Sequence, residues 1–128
     1  MVQPSNEETV RRYLAARAVH DHAMLASLRD PDWTIDWPQS GERVRGSEND
    51  RAIMDNWPDG PPNSLSVRTV GSGDFWWADG TSAYPDGSTW FISAVLELRR
   101  GKMYRETWYF GPPFEAPAWR AAWVERLG

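Results

Sequence analysis

No cysteine occurs in the 128 residues. Disulfides, thiolate metal sites and a cysteine nucleophile are thereby excluded, and the chain fits a reducing compartment. Histidine is scarce too: only His20 and His22 are present, with nothing near them to complete a first-row metal site. No apolar run approaches the ~20 residues of a membrane-spanning helix. The opening M-V-Q-P-S-N-E-E is polar and acidic where a signal peptide is basic and then apolar. A basic block is missing as well. The formal net charge is −4 and the arginines are scattered among carboxylates, so nucleic acid is not an expected partner. Walker, dinucleotide and G-x-S-x-G patterns are absent, so no cofactor and no serine hydrolase chemistry is expected. These absences describe one cytoplasmic domain, residues 1–128, with neither metal nor membrane as partner.

What the chain has in excess is tryptophan, nine of them, within a 41% hydrophobic composition. Ser5 or Asn6 is placed to cap a helix over 6–19, with Glu7 and Glu8 in its first turn. Val10, Tyr13 and Leu14 recur there at helical spacing. A shorter helix over 21–29, capped by Asp21, carries Met24, Leu25 and Leu28. Arg29-Asp30-Pro31-Asp32 ends it, since a residue before proline resists the helical region. Residues 33–37 alternate as a half-buried strand, and a third helix over 47–57 presents Ile53, Met54 and Trp57.

From residue 65 the pattern changes to strands: 65–70, 75–84, 88–99 and 102–110, with Asp86-Gly87 and Arg100-Gly101 as tight turns. Gly80, inside the second of these, reads as a bulge in a strongly curved sheet. A last short helix over 117–126 starts at Pro117, where a missing N–H costs nothing. Helices gathered before an antiparallel run give an α+β fold, with the helices against one face of a curved sheet.

This order resembles the nuclear transport factor 2-like superfamily, and within it the SnoaL-like group. The likeness is carried by T-V-R-R-Y-L-A-A at 9–16, W-P-Q-S-G-E-R-V-R-G at 37–46, Y-P-D-G-S-T at 84–89 and E-T-W-Y-F-G-P-P-F-E-A-P-A-W-R at 106–120. The resemblance implies a cone-shaped half-barrel, a curved antiparallel sheet wrapped on N-terminal helices with an apolar cavity at one end, and a homodimer. Ketosteroid isomerase, scytalone dehydratase, limonene epoxide hydrolase and polyketide cyclases share that fold, as do non-catalytic members, so fold alone does not settle function.

Catalytic relatives commonly carry an acidic residue two positions before the final aromatic of the last strand. Aligned on Tyr109-Phe110, that place is Trp108, which cannot take a proton. Glu106 lies one inward step earlier. A two-residue Arg100-Gly101 loop sets Glu97 opposite Tyr104, Val95 opposite Glu106 and Ser93 opposite Trp108. One face then holds Phe91, Tyr104, Glu106, Trp108 and Phe110 together. A carboxyl group walled in by aromatics suits acid/base chemistry near neutral pH, so Glu106 is the catalytic candidate. Tyr13, Trp37, Gln39, Arg43, Trp57, Phe91, Tyr104 and Trp108 are the candidate ligand contacts. The loop at 37–46 reads as turn chemistry at the cavity rim rather than an anion cradle, because only Gly46 stands near a helix start.

Two readings of function follow. The first is an aromatic-lined cavity for a small apolar metabolite, with cofactor-independent isomerase, dehydratase, cyclase or epoxide hydrolase-like chemistry at Glu106. The alternative is a non-catalytic ligand-binding or dimeric scaffold module. Trp108 in place of an acid favours the alternative, and Glu106 on the same face keeps the first.

Overall fold

The structure, a computed structural model, describes residues 4–127. Helix α1 (Asn6–Ala18) begins where Ser5 Oγ accepts the Glu8 N–H at 3.1 Å, with Glu7 and Glu8 against the positive end of the dipole. Val10, Tyr13 and Leu14 form its buried side. Helix α2 (His22–Leu28) is capped by Asp21, whose carboxylate accepts the Met24 N–H at 3.1 Å. The hand-over between them runs through His20, held at φ 55°, the left-handed region that non-glycine residues seldom adopt.

Strand β1 (Arg29–Trp37) follows α2 directly. The four residues expected only to stop the helix are thus already strand. Pro31 is accommodated because the β1 ladder is interrupted between Arg29 and Thr34, where no N–H is asked of it. A turn over 38–41 leads into β2 (Glu42–Arg45), and α3 (Ser47–Asp55) begins just after Gly46 at φ 85°. The remaining strands are β3 (Ser64–Ser72), β4 (Phe75–Ala83), β5 (Thr89–Arg99) and β6 (Lys102–Gly111).

These strands make one six-stranded sheet in the order β2-β1-β6-β5-β4-β3. The 3–6 meander is antiparallel as expected, but β1 lies parallel to β6. The sheet is therefore mixed, not purely antiparallel. Helix α1 lies against β3 and β6, and the core between helices and sheet holds Val10, Leu25, Trp33, Ile35, Leu96 and Met103. The opposite face carries Phe75, Phe91 and Tyr109, each substantially exposed.

Two register details differ from expectation. Gly80 pairs with Val67 on one side and Ile92 on the other within uninterrupted ladders, so it is not a bulge. It is a close approach, since a Cβ there would sit 2.0 Å from the Ser66 carbonyl oxygen. The bulge lies in β6. Arg99 pairs with Lys102 and Leu98 with Met103, but Glu97 then pairs with Arg105 and Leu96 with Glu106, leaving Tyr104 as the extra residue.

A slip of one residue exchanges the faces of a strand. Glu106, Trp108 and Phe110 therefore join Leu96, Ala94 and Ile92 rather than Val95, Ser93 and Phe91. Phe91 is placed on the outer face, 58% exposed. Tyr104 leaves the inward row and lies beneath Arg99, whose guanidinium carbon is 3.9 Å from its ring centroid.

The C-terminal element is a 3-10 helix, Ala118–Trp123, shorter than the helix expected over 117–126. Its tryptophans, Trp119 and Trp123, are 73% and 80% exposed. Without a buried stripe, little supports a longer helix.

Gly80→Ala should lower stability by about 2 kcal/mol or more, because the clash is with backbone that must shift. Urea denaturation of the variant measures it, and an unchanged midpoint would refute the close-approach account.

Candidate functional site

The inward row of β6 builds the polar centre of the molecule. Glu106 is 1% exposed. Its Oε1 accepts the indole N–H of Trp108 at 2.8 Å, and its Oε2 accepts the indole N–H of Trp33 at 2.7 Å and the Tyr13 hydroxyl. The donors come from β6, β1 and α1. A buried carboxylate is tolerable when its lone pairs are met this way.

Around it the contacts close into a ring. Arg29 Nε donates to the Tyr13 oxygen at 2.8 Å, its Nη1 to Ser47 Oγ at 3.1 Å, and its Nη2 to Asp50 Oδ2 at 2.9 Å. Arg17 Nη1 reaches the same Asp50 oxygen at 3.3 Å. The Arg17 guanidinium carbon stands 5.6 Å from the Trp108 ring centroid, and that of Arg29 stands 3.6 Å from Trp33. The path from Trp108 through Glu106, Tyr13, Arg29, Asp50 and Arg17 thus returns to Trp108.

Burial, then the Glu106 charge, pushes the Tyr13 phenol well above its ordinary value, so it stays a neutral donor. Burial also raises Asp50, but the charges of Arg17 and Arg29 and their hydrogen bonds outweigh that, leaving the carboxyl below its ordinary value. The ring is a scaffold of fixed donors and charges behind the cavity wall.

The cavity lies in front of Trp108. An inner chamber of about 60 Å³ is bounded by Arg17, His20, Trp37, Trp57, Trp108 and Phe110, among others. Such a volume takes a few water molecules or a small polar group. It adjoins an open hollow of about 470 Å³ walled by Trp37, Gln39, Trp57, Tyr84, Trp90 and Phe110. Trp37, Trp57 and Phe110 belong to both. Aromatic contacts support the walls: Trp108 stacks with Phe110 at 6.2 Å, and Tyr84 meets Trp90 at 5.6 Å and Trp57 at 6.3 Å.

Of the residues singled out from the sequence, Trp37, Trp57 and Trp108 border the inner chamber, and Gln39 borders the outer hollow. Gln39 also donates to and accepts from the Phe110 backbone, which ties the 38–41 turn to the end of β6. Glu106 and Tyr13 are brought together, but behind the wall rather than in it. Arg43 is paired with Asp36 at 2.6 Å and borders a separate surface hollow beside α3. Phe91 and Tyr104 do not reach the cavity, for the register reason given above.

Sequence reasoning missed Arg17, His20, Tyr84 and Trp90. Arg17 was within reach, because it follows Tyr13 by four residues and so shares the buried side of α1. His20 enters the sequence reading only as half of an incomplete metal site. Its left-handed backbone turns the ring toward the chamber, where Nε2 meets the Pro62 carbonyl.

A mixed sheet curved around N-terminal helices, with an aromatic cavity at its mouth, defines an α+β cone with a ligand-sized pocket. No protein-family model matches the chain, and no curated protein does. Among solved structures, an NTF2-like protein of unknown function from Burkholderia xenovorans LB400 is 35% identical, with 96% of this chain and 95% of that one covered and a TM-score of 0.80. The chain belongs to the NTF2-like family. A candidate ketosteroid isomerase from Kribbella flavida DSM 17836 (22% identity, 96% and 90% covered, TM-score 0.82) shares the fold. So does TerC co-crystallised with polyporic acid, at 20% identity, 82% and 90% coverage and a TM-score of 0.70.

Glu106→Gln replaces an acceptor-only group by one that presents N–H to the surrounding donors, and should destabilise the fold by about 2–4 kcal/mol. Chemical denaturation reads this directly, and a loss under about 0.5 kcal/mol would contradict a structural carboxylate. Asp50, whose folded pKa lies below its ordinary 3.8, contributes stability above that value. The contribution is lost as pH falls from there through the lowered one. Asp50→Asn should therefore flatten the acid limb of the stability–pH curve, and an unchanged limb would refute the assignment.

Proposed function

We propose that this chain is a small-molecule-binding protein whose ligand has a flat, mainly apolar body held in the aromatic mouth of the cone. The observation that carries this reading is the shared wall of Trp37, Trp57 and Phe110, which joins the inner chamber to the larger hollow faced by Tyr84 and Trp90. Flat rings exclude water from a flat ligand while losing little conformational freedom. TerC, which shares this fold, was co-crystallised with polyporic acid, which accords with a cavity of this kind on this scaffold.

Acid/base turnover at Glu106 has less support from the geometry. Its oxygens are occupied by Trp33, Tyr13 and Trp108, and the Trp108 indole stands between it and the chamber. A general base needs hydrogen-bond reach to the proton it abstracts.

Trp57→Ala removes a ring common to both compartments. Its affinity for the planar neutral probe 2-naphthamide should fall about three- to tenfold, on the scale of one aromatic contact. Calorimetric titration of the folded variant tests this, and equal affinity in wild type and variant would overturn the siting.

A further inference from the structure

The cavity is apolar over most of its wall, yet it includes a guanidinium. Arg17 borders the inner chamber together with Trp108, over which its charged end is stacked. That guanidinium is only partly engaged. Among the described residues its one polar contact is Nη1 to Asp50 Oδ2 at 3.3 Å, leaving Nε and Nη2 without an acceptor. The Asp50 oxygen is shared, and Arg29 holds it more closely, at 2.9 Å. The Glu106 charge favours the Arg17 cation from a distance, but its oxygens are bonded to Tyr13, Trp33 and Trp108 and make no hydrogen bond to the guanidinium. The spare Arg17 N–H groups are not among the buried orphans of the described residues, which are Trp37 Nε1 and Asp50 Oδ1, so they are open to meet an acceptor that enters the chamber. A chamber of about 60 Å³ beside them suits a group of carboxylate size.

We infer that the ligand is a planar, mainly apolar molecule bearing one anionic oxygen group, a carboxylate, which enters the inner chamber and pairs with Arg17. The apolar body remains between Trp57, Trp90 and Phe110 in the outer hollow. A guanidinium presents its donors as a flat fork that matches a carboxylate, and low local polarity strengthens the pair. The inference rests on the binding reading above and adds the chemical class of the ligand's polar end.

Calorimetric titration of the full chain with 2-naphthoate and with 2-naphthamide, near neutral pH, tests it. Wild type should bind naphthoate about tenfold or more tightly than the amide, the scale of a charge-assisted hydrogen bond. Arg17→Met keeps an unbranched stem over Trp108 and should bring the two affinities together, with naphthoate losing about tenfold more than the amide. Arg17→Lys should keep part of the preference, since it retains the charge without the fork. If circular dichroism shows Arg17→Met unfolded, the wild-type ratio and the Lys variant decide.

Equal affinities in wild type, or a preference undiminished in a folded Arg17→Met, would overturn the inference. Binding of the amide without a preference would overturn it alone and leave the binding reading standing. Failure of both probes to bind would overturn both.

Discussion

Glu106 is the constraint on which the rest of the interior depends. A carboxylate sealed from water is costly unless its lone pairs are met. Here the donors come from three separate elements, α1 through Tyr13, β1 through Trp33 and β6 through Trp108. Meeting that requirement fixes how α1 crosses the sheet. It also fixes which edge of the Trp108 indole faces inward, so the other edge can form cavity wall. Asp50 does for α3 what Glu106 does for α1, drawing Arg17 and Arg29 onto the first turn of that helix. The polar ring and the apolar cavity share the residues Trp108 and Arg17, so the shape of one sets the shape of the other.

Within its family the chain carries an interior built around one carboxylate. The family resemblance implies an acid at the position of Trp108. In the structure the carboxylate two residues earlier is spent on holding that tryptophan in place. The acid is turned inward and the aromatics Trp37, Trp57 and Phe110 are turned toward the opening. Fold membership therefore constrains the shape of the pocket here far more than its chemistry.

Much of this was legible beforehand, for reasons that particular residues make plain. Ser5 and Asp21 each had the short polar side chain that meets a free helix N–H, and both caps form. Arg100-Gly101 marked a tight hairpin, and both residues have positive φ. The common face of Glu106, Trp108 and Phe110 follows from alternation within one strand, which needs no partner to be read. The cross-strand neighbours were not legible past Tyr104, because nothing local distinguishes a residue that bulges from one that pairs. The parallel placement of β1 beside β6 is likewise set by long-range packing. Arg43 was misplaced for a similar reason: its partner Asp36 lies across the β1–β2 hairpin, and a nearby carboxylate captured a charge expected at the rim.

The bulge at Tyr104 has a consequence for how such a site can change. On the hairpin side of it Met103 points into the core, and beyond it Glu106 does so as well, three positions on instead of two or four. The bulge works as a phase shifter between the turn and the pocket. Loss of that one residue would restore plain alternation between Met103 and Glu106 and leave Glu106 opposite Leu96, so everything downstream would keep its face. The stretch from Glu106 to Phe110 is thereby insulated from a one-residue change of length at the turn end of its strand.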